Sequence, residues 1–198
     1  MNQADRIVQA IFRFDVLNKL PRTGFAIRGV RPAETIGEHC FSAAVLTAIL
    51  IDELRVKGYE IDGEKALKMA ALHEAGEILV GDLPHPASVF MGPEVKARAE
   101  RAAGAQALKG FPRLQEVLDE FEAGETLEAR LIRGVDKLQM MIKVLIYESE
   151  GTGYLADFWN YEKNFVSVGI PLVDRIFARI KELRGSAALD YLGMTETI

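Results

Sequence analysis

Apolar residues recur at intervals of three and four along most of the chain, which is the spacing of a helix with one buried face. Near the start, such a stripe predicts a helix over residues 3–20. Its members are Ile7, Ile11, Phe14 and Leu17. Because no segment shows sustained polar–apolar alternation between hairpin turns, the sequence predicts an all-α protein, a compact bundle of several helices.

Cap residues and helix breakers divide the rest of the chain into further elements. Thr35 and Glu38 have the spacing of a capping box, which predicts a long helix to about Arg55. Asp62 is expected to cap a third helix that carries His73 and Glu74. The other predicted elements are a break at 21–25, a loop at 81–86, and helices over 93–110, from Pro112, from Thr126 to Glu150, over 158–165 and over 171–183.

The helices are predicted to form a single domain over residues 1–198, because the length fits one domain and no linker, repeat or low-complexity tract interrupts the pattern. The core is expected at about 3–150. Helices at about 155–184 are expected to pack on that core or to lie at an oligomer interface. Residues 185–198 are predicted to be a tail or a docking segment.

Composition narrows the possible classes of protein. The net charge is −5 and no basic run is present, which argues against polynucleotide binding, although a few local cations would suffice for a small anion. The most apolar stretch, 41–51, is too short to span a bilayer, and the N-terminus lacks the apolar core of a secretory signal. The single cysteine, Cys40, permits no internal disulfide and is more readily explained as a buried side chain than as a metal ligand. We therefore expect a cytoplasmic protein without a membrane partner.

Residues 72–85, LHEAGEILVGDLPH, begin like the His-Glu-x-x-His motif of zinc proteases. The second histidine of that motif would be residue 77, which is Glu77, so a protease is excluded. His73, Glu74 and Glu77 are instead predicted to form one polar patch on an otherwise apolar helix. Burying such groups without partners costs several kcal/mol, so a metal ion or a polar cleft would explain them. A solvent-facing helix end is the alternative.

Two other predicted helices bring ligand-type groups to apolar faces. Glu38 and His39 open one of them, and Asp136 lies within LIRGVDKLQMMI. Lys137 is the alternative partner for Asp136, as an ion pair. A set of imidazoles and carboxylates suits one divalent transition metal, such as Mn, Co, Zn, Fe or Ni, better than Mg. The absence of cysteine from the set argues against a closed structural zinc site.

At these residues the chain resembles the HD-domain metal-dependent phosphohydrolases, and within them the small 5′-deoxynucleotidases. Four stretches carry the likeness: LPRTGFAIRGV (20–30), ETIGEHCFSAAVLTAIL (34–50), AALHEAGEILVGDLP (70–84) and LEARLIRGVDKLQMMI (127–142). The family signature is a His, a His-Asp pair and a distant Asp, each on its own helix. The matching residues are His39, His73, Glu74 and Asp136, with Glu74 in place of the family's Asp.

The resemblance implies an HD-domain bundle in which these four residues hold one divalent metal ion. It also implies release of phosphate from (deoxy)nucleoside 5′-monophosphates and a homodimeric assembly. By the same resemblance Glu77 and Asp82 would act in catalysis, and Arg22 and Phe25 would contact the nucleotide. Arg28 is a second candidate cation.

Other interpretations remain open from the sequence. The substrate could be another phosphate ester or a nucleotide with more phosphates, since a fold and a ligand set do not choose a substrate. Glu74 could instead mark a decayed site that only binds a nucleotide or a partner, although retention of Glu77, Asp82 and Asp136 argues against decay. His85 could touch substrate, close the pocket or simply face solvent. The aromatic residues Phe158, Trp159 and Tyr161 are expected in the core or at an interface rather than in the pocket.

Overall fold

The computed structural model of the chain describes residues 2–185, which form α-helices and short 3₁₀ turns joined by loops. Within this range the only β-type contact is an isolated bridge between Pro21 and Thr35. The α-helices are α1 (Gln3–Phe14), α2 (Thr23–Ala26), α3 (Ile36–Val56), α4 (Gly63–Leu72), α5 (Glu77–Val80), α6 (His85–Met91), α7 (Pro93–Ala107), α8 (Pro112–Ala123), α9 (Leu127–Ser149), α10 (Ala156–Asn160) and α11 (Pro171–Leu183). The predicted all-α fold is confirmed for this part of the chain, whereas residues 186–198 of the predicted tail or docking segment lie outside it.

The helix starts that were predicted from cap residues are formed by the expected hydrogen bonds. Thr35 Oγ1 accepts from the backbone N–H of Glu38 at 3.1 Å, and the Glu38 carboxylate accepts from the N–H of Thr35 at 2.6 Å, so the capping box is complete. Asp62 and Thr126 cap α4 and α9 with the side-chain half of this arrangement, accepting from the backbone N–H groups of Lys65 and Ala129. These bonds satisfy N–H groups that a helix end leaves without a partner.

The helix predicted over 158–165 is divided into α10 and a 3₁₀ turn at Glu162–Phe165, and α2 begins inside the break predicted at 21–25. Three other predicted boundaries also differ from the structure. The first α-helix ends at Phe14 and continues only as a 3₁₀ turn over Asp15–Asn18. The loop predicted over 81–86 gives way to α6 at His85, because Pro86 lies in the first helical turn, where no backbone N–H is needed. The third difference is the most important for function: α4 ends at Leu72, so His73 and Glu74 do not lie on it.

Tight turns replace the helix after Leu72. The N–H of Ala75 bonds to the carbonyl of Leu72 at 2.8 Å, and the N–H of Glu77 bonds to that of Glu74 at 3.0 Å. These turns bring Gly76 against the backbone of α7, where an added Cβ would lie 2.6 Å from the carbonyl oxygen of Glu100. Helix periodicity alone could not predict this packing, because the partner lies on a different helix.

The core lies between α3, α4 and α9, whose apolar faces form one buried cluster. Leu50 and Leu54 of α3 and Met69 of α4 lie there with Leu131 and Leu138 of α9. The C-terminal α11 adds Val173, Phe177 and Ile180 to the same cluster. This shared core holds α9 beside α3 and the end of α4, and so positions the residues of the candidate site. Across residues 2–185, none of the helices combines the length and the apolar character needed to cross a membrane.

Candidate metal centre and its pocket

Four side chains from three parts of the fold converge at one point. His39 comes from the first turns of α3, His73 and Glu74 from the turns after α4, and Asp136 from the middle of α9. Each offers one ligand atom, and these atoms all lie within 4.8 Å of one another. His39 Nε2 is 3.6 Å from Glu74 Oε1 and 3.5 Å from Asp136 Oδ1. The structure thus brings together the four residues that the sequence predicted as ligands.

Hydrogen bonds orient both imidazoles toward this point. His73 Nδ1 lies 2.9 Å from the carbonyl oxygen of Ala70, which can only accept, so Nδ1 carries the proton. His39 Nδ1 lies 2.5 Å from Oε1 of Gln139. The two Nε2 atoms face each other at 3.1 Å. Metal-binding histidines have this arrangement, in which one ring nitrogen bonds to the protein and the other faces the ion.

The charge states of the cluster also suit a cation. Burial lowers the pKa of His73, which favours the neutral imidazole. Burial alone would raise the pKa of Glu74, but interactions with His73 and Arg22 lower it. Burial opposes ionisation of Asp136 as well, yet Lys137 at 3.0 Å, His39 and Arg22 hold the pKa of Asp136 well below its usual value. The neutral imidazole of His73 and the ionised carboxylates of Glu74 and Asp136 are forms that bind metals, so the donor set fits a divalent ion.

A cavity of about 680 Å³ lies over the cluster, which is within the usual range for small-molecule sites. Arg22 lies at its floor, where one guanidinium nitrogen donates to Glu74 Oε1 at 2.8 Å and the other is 4.0 Å from Asp136 Oδ1. Burial alone would lower the pKa of Arg22, but the negative charges of Glu74 and Asp136 raise it, so Arg22 stays cationic. A permanent cation thus faces both the metal ligands and the cavity.

Glu77 and Asp82, the two residues predicted to be catalytic, line the same cavity. Glu77 is only 4 % exposed, and burial, reinforced by the charges of Glu74 and Asp82, raises its pKa to about 10. Its Oε2 atom is buried without a hydrogen-bond partner. At neutral pH Glu77 therefore holds a proton that it could donate. Asp82 accepts a hydrogen bond from the backbone N–H of Thr23 at 2.5 Å, which ties α2 to the end of α5.

The aromatic residues are distributed differently from the sequence prediction. Phe158 and Tyr161 line the cavity, which the sequence did not predict, although Phe158 also packs against the core cluster, as predicted for it and for Trp159. Phe25 borders the cavity but is 2 % exposed, and its ring stacks on Phe158 with centroids 5.3 Å apart. Its contact with a nucleotide stays a prediction. His85 starts α6 at the mouth of the cavity, and its ring lies 4.6 Å from that of Tyr161.

The second candidate cation, Arg28, is engaged by neighbouring groups. It pairs with Asp157 at 2.5 Å, donates to the carbonyl of Gly24 at 2.7 Å and lies over the ring of Phe158. Sequence reasoning did not single out Lys96, which also lines the cavity and pairs with Glu100. It also missed Gln139, which touches His39. The available signal was its spacing, because Gln139 follows Asp136 by one turn within an apolar stretch of α9.

The close approach of Gly76 to α7 gives a testable expectation for the site. In Gly76→Ala the new methyl group would meet the Glu100 backbone, which cannot rotate away as a side chain would. We expect a loss of about 1–3 kcal/mol in the free energy of unfolding, measured by urea denaturation, as in other overpacked sites. Gly24→Ala is the matched control, since its Cβ would meet only Phe158 at an ordinary 3.8 Å. Equal stability of Gly76→Ala and wild type would contradict the close packing.

Comparisons with known proteins agree with this geometry. A family model described as HD domain matches residues 14–171, which include all four cluster residues. The chain is 25% identical over 188 residues to 5′-deoxynucleotidase HDDC2 of Xenopus laevis, covering 91% of this chain and 89% of that protein. It is 28% identical over 152 residues to 5′-deoxynucleotidase hdd1 of Schizosaccharomyces pombe, covering 70% of this chain and 72% of that protein.

Solved structures show the same fold. A conserved hypothetical protein from Pyrococcus furiosus superposes with a TM-score of 0.75 at 33% sequence identity, covering 89% of this chain and 98% of its own. A protein from Pyrococcus horikoshii OT3 gives a TM-score of 0.77 at 33% identity, covering 89% and 99% of the two chains. The fold, the cluster and the family match agree with the resemblance in the sequence, and this chain belongs to the HD domain family.

Proposed function

We propose that this protein is a metal-dependent phosphohydrolase that releases phosphate from (deoxy)nucleoside 5′-monophosphates. The observation that carries the proposal is the convergence of two histidines and two carboxylates, three of which, His73, Glu74 and Asp136, line a cavity that also holds Glu77. The relatives named as 5′-deoxynucleotidases support the class of substrate.

His39, His73, Glu74 and Asp136 would hold the ion. Two imidazole nitrogens and two carboxylate oxygens suit Mn, Co, Zn, Fe or Ni better than Mg. When bound, such an ion supplies a Lewis acid that lowers the pKa of water and offsets charge on a phosphoryl group. Glu74 is one methylene longer than the family's Asp, yet its Oε1 lies 3.6 Å from His39 Nε2 and 3.8 Å from His73 Nε2. A carboxylate oxygen therefore still reaches the cluster, which supports an active site rather than a decayed one.

The chain's own residues would bind the phosphate and move the proton. The planar guanidinium of Arg22 can hold two phosphate oxygens at once, and it lies between the cluster and the cavity. The buried, protonated carboxyl of Glu77 would donate its proton to the leaving 5′ oxygen. Asp82 would support both steps, because its bond to Thr23 fixes the residue next to Arg22 and its charge helps to keep Glu77 protonated.

Replacing the planar guanidinium of Arg22 should weaken substrate binding. Arg22→Lys keeps the charge but cannot form two parallel bonds to a phosphate, so we expect KM to rise about 10-fold, the equivalent of about 1.4 kcal/mol. Steady-state kinetics with saturating metal would measure it. Arg28→Lys is the control, because all three guanidinium nitrogens of Arg28 already donate to Asp157 or to the carbonyl of Gly24, and we expect its KM to change by less than about 3-fold. An unchanged KM in Arg22→Lys would show that Arg22 does not bind the substrate phosphate.

The proposed function can be tested by phosphate release from a panel of ribo- and deoxyribonucleoside 5′-monophosphates. The protein would first be stripped with a chelator and then supplied with Mn, Co, Zn, Ni, Fe or Mg in turn. We expect a transition metal to restore release and Mg to be weaker. Metal binding without release from any monophosphate would contradict the proposal. It would point to another phosphate ester, a nucleotide with more phosphates, or a binding role.

We also propose that the protein acts as a homodimer. Three large apolar side chains on one face of α3 are exposed at intervals of four residues: Phe41 (71 %), Val45 (46 %) and Ile49 (56 %). A two-fold axis along this stripe would bury it against itself, as isologous dimers do. We expect Phe41→Lys to shift the mass measured by light scattering to that of a monomer, and Tyr154→Lys, also at an exposed ring, to leave it unchanged. A wild-type monomer would refute the dimer. A cytoplasmic location stays a prediction.

A further inference from the structure

A buried chain of polar groups leads from the candidate centre into the fold, through Gln139 and Glu34, which do not line the cavity. His39 Nδ1 contacts Gln139 Oε1 at 2.5 Å, and Gln139 Nε2 donates to Glu34 Oε2 at 3.1 Å. The three residues are 0 %, 6 % and 4 % exposed. Gln139 and Glu34 have no place in the proposed chemistry, so their presence in a well-packed interior calls for an explanation.

The charge of Glu34 determines the direction of every bond in this chain. A carboxylate only accepts hydrogen bonds, so the Gln139 amide must turn its NH₂ group toward Glu34. Its carbonyl oxygen then faces His39 and requires a proton on Nδ1. In a neutral imidazole the other nitrogen is then bare, and His39 Nε2 is the atom that faces Glu74 and Asp136.

The opposite tautomer has a local advantage that this chain of bonds must overcome. A proton on His39 Nε2 could be donated to His73 Nε2, which is only 3.1 Å away. That bond would occupy both nitrogens and close the site to a cation. It would also require Gln139 to reverse, which would set the amide oxygen against the carboxylate of Glu34. Two acceptors at about 3 Å repel in a buried site, and the repulsion is stronger here than between the two neutral Nε2 atoms because one acceptor is a charged carboxylate, so the reversal is disfavoured.

Glu34 is itself held in place at several points. Its backbone N–H donates to the hydroxyl of Tyr147 at 2.9 Å, and its backbone carbonyl accepts from the N–H of Arg22 at 2.8 Å. The ammonium of Lys143 lies 3.8 Å from Oε2. Oε1, however, is buried without any partner. Burying a carboxylate with one unsatisfied oxygen is unfavourable, which makes a purely structural role a poor explanation.

We propose that Glu34 and Gln139 are positioning residues that set the tautomer of His39, with Glu34 orienting the amide of Gln139 and Gln139 holding the proton on Nδ1. The inference rests on the proposed metal site. With the proton on Nδ1, the ligand nitrogen Nε2 of His39 is free of a proton before any ion binds. Because the same Glu34 carbonyl holds the Arg22 backbone, one residue positions both a metal ligand and the proposed phosphate ligand.

The tautomer can be read directly in metal-free wild-type protein. Long-range ¹⁵N–¹H NMR of labelled histidine distinguishes protonated from bare ring nitrogens, at a pH well above the ordinary value for histidine. The chain has three histidines, so single His→Gln variants assign the signals. We expect the His39 proton on Nδ1. A proton on Nε2 in the wild type would overturn the inference, whatever the outcome of the activity assays.

Isosteric substitutions then test the direction of the bonds. In Glu34→Gln the new amide can donate to Gln139, which removes the penalty for reversal. We expect the Nε2–H tautomer of His39 to appear and the Kd for Mn or Co to rise about 10- to 100-fold, the usual cost of losing a residue that supports a ligand. Combining Glu34→Gln with Gln139→Glu reverses both partners, and a Glu at 139 again accepts from Nδ1. We expect the double variant to recover the wild-type tautomer.

Thr47→Val serves as the matched control. Thr47 is completely buried on the same helix as His39, and its hydroxyl has no hydrogen-bond partner. We expect it to change neither the tautomer nor the metal Kd. A wild-type tautomer in Glu34→Gln, or failure of the double variant to recover it while circular dichroism shows native helix content, would overturn the inference. If the tautomers behave as expected but no metal binds, the proposed function fails and the inference about His39 does not.

Discussion

Replacing His73 with alanine should abolish metal-dependent phosphate release and reduce metal binding by more than 100-fold. His73 supplies one of four converging ligand atoms, and its Nδ1 bond to Ala70 aims Nε2 at the others. Losing a residue that only supports a ligand typically costs 10- to 100-fold in metal affinity, so losing the ligand itself must cost more. Calorimetric titration of the stripped protein with Mn or Co, alongside phosphate release, would measure both effects.

His85→Ala is the matched control for this experiment. His85 is exposed at the mouth of the cavity beside Tyr161 and does not belong to the cluster. We expect its metal Kd to match that of the wild type, with any change confined to KM. Circular dichroism would establish that both variants are folded. A His73→Ala protein that is folded, binds metal normally and releases phosphate would refute the assignment of the centre.

Replacing Glu77 with glutamine should separate catalysis from stability. The amide has the shape of the protonated carboxyl but no proton to donate, so we expect kcat to fall about 10²- to 10⁴-fold, the usual contribution of a general acid. Metal affinity should stay within about 3-fold of the wild type, because Glu77 is not one of the four converging ligands. Glu100→Gln is the control, since Glu100 lines the same cavity and burial also raises its pKa, yet it pairs with Lys96. A kcat of Glu77→Gln within about 2-fold of the wild-type value would show that Glu77 is not the proton donor.

The same substitution should stabilise the metal-free protein at neutral and alkaline pH. Burial raises the pKa of Glu77 from 4.5 to about 10, so between these values the folded state holds a proton that the unfolded state has released. The contribution of this carboxyl to stability is therefore fully present below pH 4.5 and is lost as the pH rises toward 10. Glu77→Gln removes that loss, and we expect a gain on the order of 1–3 kcal/mol at neutral pH.

Urea denaturation of chelator-treated protein across this pH range would measure the effect. The free energy of unfolding of the wild type should fall more steeply with pH than that of Glu77→Gln, and the two curves should meet at acidic pH. Parallel curves would mean that Glu77 ionises normally in the folded protein. They would also remove the reason for assigning it as the proton donor.

Much of the helical framework could be predicted because its determinants are local. A cap residue acts on N–H groups two or three positions away, so Thr35, Asp62 and Thr126 marked the starts of α3, α4 and α9 from the sequence alone. The candidate ligands could also be recognised, because each is a polar group in an apolar stretch and their order resembles a known family. The convergence of these residues could only be inferred from that resemblance.

The residues that support the candidate ligands could not be identified from local sequence patterns, because their contacts join distant parts of the chain. Arg22 meets Glu74 across 52 positions, His39 meets Gln139 across 100, and Gln139 meets Glu34 across 105. The end of α4 at Leu72 depended on the packing of Gly76 against another helix.

Most of the longer helices, their caps and the chemical types of the ligands follow from local sequence, because propensity and capping act within a turn or two. Packing between distant segments sets which polar side chains share one point, which aromatic rings line the cavity and which carboxyl holds its proton. Those properties arise from burial and from charges brought together by packing, and both depend on residues far apart in the chain.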